Sequence, residues 1–363
     1  MIRWLLLVAL VSTAGCQAPG PDGIRMGLPT LPGNLDPRYA TDAVSSRVCG
    51  LLYQALTRFD AQSRPQPDLA RWERLSPSHY RFHLLPERRS FPDGRLPAAA
   101  DVAATYRSLL DPAAASPHRG TLAHIADIEV LDEQTLDFRL SRPDQLFPGY
   151  LGIGILPAER LAAGHDFNRQ PWGSGTFAFE QRRDEGHYQL RRRADGLRLS
   201  LVQVPDPTVR VLKLQRGEID LLQNELPPEL VAYLEERPEL EVQRLPGTTF
   251  AYLGFNLEDR LSGDLRLRQA VAHGIDRAAI VRHLFAGNAR LAESILPPQH
   301  WAGVSDLVPH PHDPERARTL VRELQRDLGL APDRPLELEY KTSSDPFRLR
   351  LAAALQAQLA EVG

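Results

Sequence analysis

Histidines and cysteines are the residues here best suited to metal or nucleophile chemistry, and their spacing decides what they can do. The densest histidine group is His300, His310 and His312, with Asp313 adjacent. In an extended His310-Pro311-His312 both rings fall on one side of the chain. Imidazole with carboxylate would suit a divalent transition metal. The stretch is rich in proline and reads as a loop, so a solvated turn is preferred and the three histidines stay weak metal candidates. No Cys/His pair stands at zinc spacing. Gly173-Ser174-Gly175-Thr176-Phe177-Ala178 mimics the glycine pattern of a nucleotide site, but a strand follows it, where phosphate binding needs a helix. Gly-x-Ser-x-Gly, His-Glu-x-x-His, phosphate-loop and Ser-x-x-Lys signatures are missing. The paired acids Glu235-Glu236 fall on a polar helix face. These residues point to no enzyme and no cofactor.

Cys16 has the clearest chemistry. Met1-Ile2-Arg3 carries one positive charge, an apolar run follows from Trp4 to Val11, and Ser12-Thr13-Ala14-Gly15 are small, which is the order of a secretion signal. The apolar run is shorter than the ~20 residues of a membrane-spanning helix. A cysteine directly after Ala14-Gly15 resembles the bacterial lipobox, with Thr13 where leucine is usual. That resemblance implies removal of residues 1–15 and lipid attachment through a thioether on Cys16. Each buried methylene contributes about 0.8 kcal/mol, so more than one acyl chain gives stable anchoring. Residues 16–23, rich in Pro and Gly, then form a tether. The expected location is the periplasm or cell envelope, anchored to a membrane through Cys16. Cys49, the other cysteine, shares a helix face with Val48 and Leu52 and reads as a buried core residue.

The elements that hold these residues are those of an α/β protein. At 363 residues the chain is too long for one ordinary core. Its net charge of -3, from 43 basic and 46 acidic groups mixed along the sequence, excludes the basic stripe a nucleic-acid partner would need. Strand patterns fall at Ile24–Leu28, Tyr80–Leu84, Ile128–Leu131, Leu136–Leu140, Thr176–Glu180, His187–Arg192, Leu199–Val204, Thr249–Asn256 and Leu336–Lys341. Helical patterns fall at Ser45–Leu56, Ala98–Leu110, Pro207–Gly217, Pro228–Glu236, Asp264–Phe285 with Asp276 as an internal cap, Pro314–Leu328 and Pro346–Val362. Strands and helices interleave, as a mixed architecture requires. Asp36 and Asp93, in Pro- or Gly-flanked turns, are expected to bond their own backbone. Gly173 and Gly175 are expected to supply unusual backbone angles.

Four ordered blocks carry a resemblance. They are Leu35-Asp36-Pro37 with Ala40-Thr41-Asp42 and Leu51-Leu52-Tyr53-Gln54-Ala55-Leu56; Pro67-Asp68-Leu69-Ala70-Arg71-Trp72-Glu73 with Tyr80-Arg81-Phe82-His83-Leu84, Phe91-Pro92-Asp93-Gly94 and Ala100-Asp101-Val102; Gly173-Ser174-Gly175-Thr176-Phe177 with Gly217-Glu218-Ile219-Asp220; and Leu253-Gly254-Phe255-Asn256 with Arg266-Leu267-Arg268-Gln269-Ala270 and Gly274-Ile275-Asp276-Arg277. Together they resemble the family 5 extracellular solute-binding proteins, the oligopeptide, dipeptide and nickel receptors of ABC importers. The resemblance implies a two-lobed type II periplasmic-binding-protein fold with an extra inserted subdomain, closing on its ligand by a hinge. Lobe I would comprise 24–45 and 168–255, the insertion 46–167, and lobe II 256–363. Three departures stand out: Arg193–Leu197 is shorter than its counterpart, Leu85-Pro86 replaces a basic position, and the chain stops at Gly363. The family continues well beyond that point, so the expectation is an incomplete second lobe, in a fragment or a truncated receptor, with strand edges left unpaired.

Within that family the implied partners are a peptide or similar small solute and the permease subunits of an ABC importer. The receptor itself would be a monomer. Peptide receptors of the family hold the ligand as an added strand. By position, Thr30, Leu31, Pro32, Gly33 and Asn34 after the first strand, and Tyr252, Phe255 and Asn256, would face the ligand cleft. Asn256 can both donate and accept. A nickel or metallophore receptor of the same fold, or a lipoprotein with a chaperone-like or regulatory role, are the alternatives.

Overall fold

From residue 23 the chain forms β1 (Gly23–Leu28), α1 (Ala43–Leu52) and a short hairpin of β2 (Thr57–Phe59) and β3 (Pro65–Pro67). β4 (Ala70–Ser76), β5 (His79–Leu84), α2 (Ala99–Leu110), α3 (Arg119–Leu122), β6 (Ile125–Val130), β7 (Thr135–Leu140) and α4 (Ala158–Ala162) follow. Next come β8 (Phe177–Asp184), β9 (His187–Arg192), β10 (Arg198–Gln203), α5 (Pro207–Gln215) and β11 (Leu221–Leu222). The remainder is helical: α6 (Pro228–Glu235), α7 (Leu265–Gly274), α8 (Arg277–His283), α9 (Pro314–Asp327) and α10 (Pro346–Ala360). The structure is a computed structural model and describes residues 23–184, 186–224, 226–245, 247, 249–304, 306–307, 310–331 and 334–363. The expected signal segment, Cys16 and residues 16–22 of the tether lie outside the described residues.

Two units result. The first runs to Arg58 and resumes over Pro67–Gln223; the second holds Phe59–Gln66 and Asn224–Gly363. The first unit has two sheets. One is five-stranded in the order β11-β1-β10-β9-β8, with β1 parallel to both β10 and β11 and the rest antiparallel. The other is four-stranded and antiparallel, β4-β5-β7-β6. Each sheet has its own core. Leu28, Val44, Val48, Cys49, Leu52, Tyr53, Leu190 and Leu201 bury one face of the first. Tyr80, Phe82, Phe138 and Phe147 join Val102, Tyr106 and Leu109 of α2 against the second. The buried side chains alternate along β5, as a strand with one covered face requires.

The chain passes between these cores twice, and the crossing segments pair. Ala55 bridges Gly154, and Ile155 N–H donates to Gln54 O at 2.8 Å. Tyr53 and Leu156 belong to the first core and Leu56 and Ile155 to the second. α1 buries Val48, Cys49 and Leu52 in the core of the five-stranded sheet. The helix read as Ser45–Leu56 begins earlier and stops at Leu52. Asp42 caps its start by accepting from Val44 N and Ser45 N, and Tyr53 turns extended.

Gly173 and Gly175 explain that stop. Neither has positive φ, so the expected unusual angles are absent. What they supply is room: a Cβ on Gly173 would lie 2.2 Å from Leu52 O, and one on Gly175 2.2 Å from Leu51 O. Gly175 N–H donates to Leu52 O at 2.8 Å, satisfying a carbonyl at the helix end. Asp36 and Asp93 do bond local backbone, accepting from Arg38 N and Arg95 N.

In the second unit Asp-Pro pairs start α9 and α10, the aspartate capping and the proline taking the first helical position. Asp276 caps α8, and its own N–H donates to Gln358 Oε1 on α10 at 2.9 Å. Val271, Ile275, Ile280 and Leu355 form the core, with Leu253 and Phe255 packed against it. Thr249–Asn256 and Leu336–Lys341, expected as strands, are not strands. Side chains still alternate from Tyr252 to Asn256, but no neighbouring strand is present among the described residues of 224–363, and alternation makes a strand only where backbone partners exist. Residues 224–255, expected in lobe I, group with this second unit. Among the described residues no helix is long and apolar enough to cross a membrane.

Candidate functional site

In sheets with parallel strands, ligands sit in the crevice outside the strand carboxyl ends, where the strand order reverses. β1 meets that condition, lying between β10 and β11 with all three parallel. The connection from β10 through α5 passes over β1 to reach β11. At that end Leu28 pairs with Gln203, Val204 N–H donates to Leu28 O at 2.7 Å, and Gly27 pairs with Leu222. Asp220 of the Gly217–Asp220 block fixes the geometry. Its carboxylate takes Arg25 N–H at 2.8 Å and both Nε and Nη2 of Arg25, which holds β11 beside β1. The Arg25 guanidinium keeps the Asp220 carboxyl below the usual carboxylate range against an opposing contribution from burial.

The loop that leaves β1 carries five of the expected site residues. Thr30 and Gly33 are exposed, Leu31 and Asn34 half-buried, and Pro32 buried. Leu31 packs on the core of the five-stranded sheet. Asn34 is committed to shaping the loop: its N–H donates to Ser45 Oγ at 3.1 Å and its Oδ1 accepts from Asp36 N at 2.8 Å. Asp36 in turn grips Arg38 through both oxygens, at 3.1 and 2.7 Å. Beneath the loop Cys49 faces Asn34 O at 3.9 Å. Burial pushes its thiol up to about 12, with Asp36 and Asp42 adding to the shift, so it is inert packing at neutral pH.

Two groups at this end were not singled out from the sequence. Arg47, on the exposed side of α1, donates to Gln223 Oε1 at 3.2 Å. Gln223 directly follows β11. The available signal was position alone, since Gln223 trails the Gly217–Asp220 block and Arg47 stands one residue before the buried Val48. Beside the Arg25–Asp220 and Arg38–Asp36 pairs, Arg47 and Gln223 offer a guanidinium and an amide suited to hydrogen-bonding a polar solute. None of it is a nucleophile set beside a base.

Tyr252, Phe255 and Asn256 lie in the second unit. Tyr252 is 77% exposed, with its ring 5.6 Å from that of Phe250. Phe255 turns the other way, into the core around Val271 and Ile275. The Asn256 side chain accepts from Glu258 N at 3.1 Å and its carbonyl from Ser262 Oγ at 2.6 Å, so it shapes a turn while its amide nitrogen stays exposed. His300, His310 and His312 do not gather. His300 Nδ1 accepts from Ala302 N and its ring stacks near Trp301; the His310 ring lies 5.6 Å from His273; His312 faces Asp276 at 3.8 Å. Among the described residues no group of three or more His, Cys, Asp or Glu could hold a metal ion.

A family described as bacterial extracellular solute-binding proteins, family 5, middle region, matches residues 64–363. The chain is 29% identical to di/tripeptide-binding protein 2 of Pseudomonas aeruginosa, covering 99% of this chain and 74% of that one. It is 26% identical to the dipeptide-binding protein of Escherichia coli, over 66% of this chain and 47% of that one. It thus spans between about half and three quarters of the length of these relatives. In fold it is similar to NikZ from Campylobacter jejuni, solved in complex with Ni(L-His), with a TM-score of 0.79 at 24% identity over 94% of this chain and 72% of NikZ. The α/β class of a two-lobed binding protein read from the sequence is the class of these structures. The chain belongs to the family 5 bacterial extracellular solute-binding proteins.

Proposed function

We propose that this chain is the receptor of an ABC importer, capturing a peptide or similar small solute outside the cytoplasmic membrane and passing it unaltered to a permease. The observation that carries the reading is the family match over 64–363. It is supported by the exposed polar groups at the carboxyl end of β1, where Thr30, Gly33, Arg47 and Gln223 are open to a solute. The named relatives bind dipeptides and tripeptides. Anchoring through Cys16 after removal of residues 1–15 belongs to the same proposal, since a tethered receptor stays near its permease.

The test is thermal unfolding of the purified full chain against separate pools of dipeptides, tripeptides and nickel–histidine chelate. A ligand at about 100 times its Kd stabilises by ~2.7 kcal/mol, which raises Tm by several degrees. Stabilisation by a peptide pool, reduced by Arg47→Ala with Gln223→Ala, supports the reading. A response to the nickel chelate alone would shift it to a metallophore receptor. Silence in every pool, or turnover of any pool, would refute it.

A further inference from the structure

A second concavity lies within the first unit, away from the carboxyl end of β1. It has a volume of about 540 Å³ and follows β8, the outermost strand, with residues 169–173 forming its far wall. β9 and β10 separate β8 from β1. Its charge is one-sided: Arg169, Arg182, Arg191 and Arg193 line it against the single acid Glu180. Glu180 is committed to Arg191, at 2.8 Å. Arg182 donates to the carbonyl of Asn168 and Arg193 to the carbonyl of Gly173, each at 2.7 Å, so neither has its charge met by these bonds. Trp172, Phe177 and Phe179 supply an apolar wall beside the guanidinium groups.

Two donors here have no acceptor. Arg193 Nε and Trp172 Nε1 are both buried from water and both lack a hydrogen-bond partner. A buried donor left unmade is costly, so the Arg193 guanidinium gains from an acceptor offered to its other nitrogens. The field at Arg193 agrees. Burial holds its guanidinium below the usual arginine value, and the charges of Arg89 and Arg191 add to the effect. Three cations that crowd one another are relieved by an anion, and guanidinium matches phosphate oxygens in pairs.

We infer that this concavity binds a phosphate-bearing small molecule, its phosphate held by the Arg193 and Arg182 guanidinium groups, and its apolar part against Phe177 and Phe179. Arg169 lies 3.7 Å from Asp166 and Arg191 is held by Glu180, which leaves the charges of Arg182 and Arg193; two positive charges favour a dianion over a monocarboxylate, and a phosphate monoester carries close to two charges at neutral pH. The phosphate oxygens come from a soluble monoester, with close to two charges, or from a phospholipid diester headgroup, with one. The site is independent of the solute-receptor proposal.

Isothermal titration with phenyl phosphate, inorganic phosphate and benzoate tests it, on the full chain carrying Cys16→Ser so that no acyl chain contributes. Sedimentation with phosphatidylglycerol and phosphatidylcholine vesicles runs in parallel. The expected result is one phenyl phosphate per chain, bound more tightly than benzoate. Arg193→Gln should weaken it about tenfold or more, the usual loss of a charged hydrogen bond, while Arg74→Gln, on β4, should leave it unchanged. Should Arg193→Gln fail to fold by circular dichroism, Arg182→Gln serves in its place. Binding to phosphatidylglycerol vesicles alone, lost in the same variants, assigns the phosphate to a lipid headgroup. No binding to any phosphate probe, or binding that these variants leave intact, would overturn the inference.

Discussion

Replacing Asp101 with asparagine removes one oxygen from a carboxylate that accepts from backbone at the start of two helices. Asp101 is 2% exposed. Its Oδ1 accepts from Arg95 Nη2 at 3.0 Å and from Ala158 N at 2.8 Å. Its Oδ2 accepts from Arg95 Nη1 at 2.7 Å and from Ala98 N at 2.8 Å. The four bonds tie the start of α2 to the start of α4. An asparagine amide has one acceptor oxygen, so in either orientation its NH2 faces one backbone N–H and one guanidinium N–H. Each lost bond to a charged group contributes about 1.5–3 kcal/mol, and a donor left unmet costs about 1–3 kcal/mol more. The Arg95 side chain is 35% exposed, so water takes over much of its share. The backbone donors are less easily hydrated. Asp101→Asn should therefore cost about 3–4 kcal/mol. Arg95→Ala leaves both backbone bonds intact and should cost only about 1–2 kcal/mol. Urea unfolding followed by far-UV circular dichroism measures both, with the slope m checked for constancy. If Asp101→Asn unfolds within 1 kcal/mol of the parent (a threshold set by the ~1 kcal/mol net worth of one hydrogen bond), the carboxylate does not hold these two helix starts.

Two further outcomes follow from the same geometry. Asp137, 1% exposed, is held below the usual carboxylate range by Arg81, with burial opposing and His79 adding to the depression. A depressed folded value means its stabilisation is complete above the unfolded value of about 3.9 and is lost as pH falls through the folded one. Urea midpoints between pH 3 and 6 should drop on the acid side in the parent and less steeply in Asp137→Asn; parallel curves would contradict the assignment. Gly175→Ala would place a Cβ 2.2 Å from Leu51 O and 2.5 Å from Tyr53 N, both backbone atoms. It should cost about 3 kcal/mol by overpacking, whereas Gly50→Ala in α1, with nothing within 4 Å of the new Cβ, should gain up to about 1 kcal/mol. A Gly175→Ala protein as stable as the parent would show that the close approach is dispensable.

Periodic elements were legible without coordinates because they are local. β5 alternates as a one-faced strand must, and Asp206-Pro207, Asp313-Pro314 and Asp345-Pro346 start helices where aspartate and proline predict. Thr249–Asn256 shows the limit of that logic. Its alternation is real, with Leu253 and Phe255 inward and Tyr252 exposed, yet pairing depends on what lies alongside. Gly173 and Gly175 were recognised as special for the wrong reason. Glycine tells of freedom in φ or of room, and only the neighbouring Leu51 and Leu52 backbone shows which is used.

The sequence by itself determined the family, through four ordered blocks, and the α/β alternation, because both are written in neighbouring residues. Tertiary structure alone decided that Arg47 meets Gln223, that Asn34 is consumed by its own loop, and that four arginines share one concavity. Those facts depend on strand order and register, which bring together residues far apart in the chain, and no local pattern records that distance.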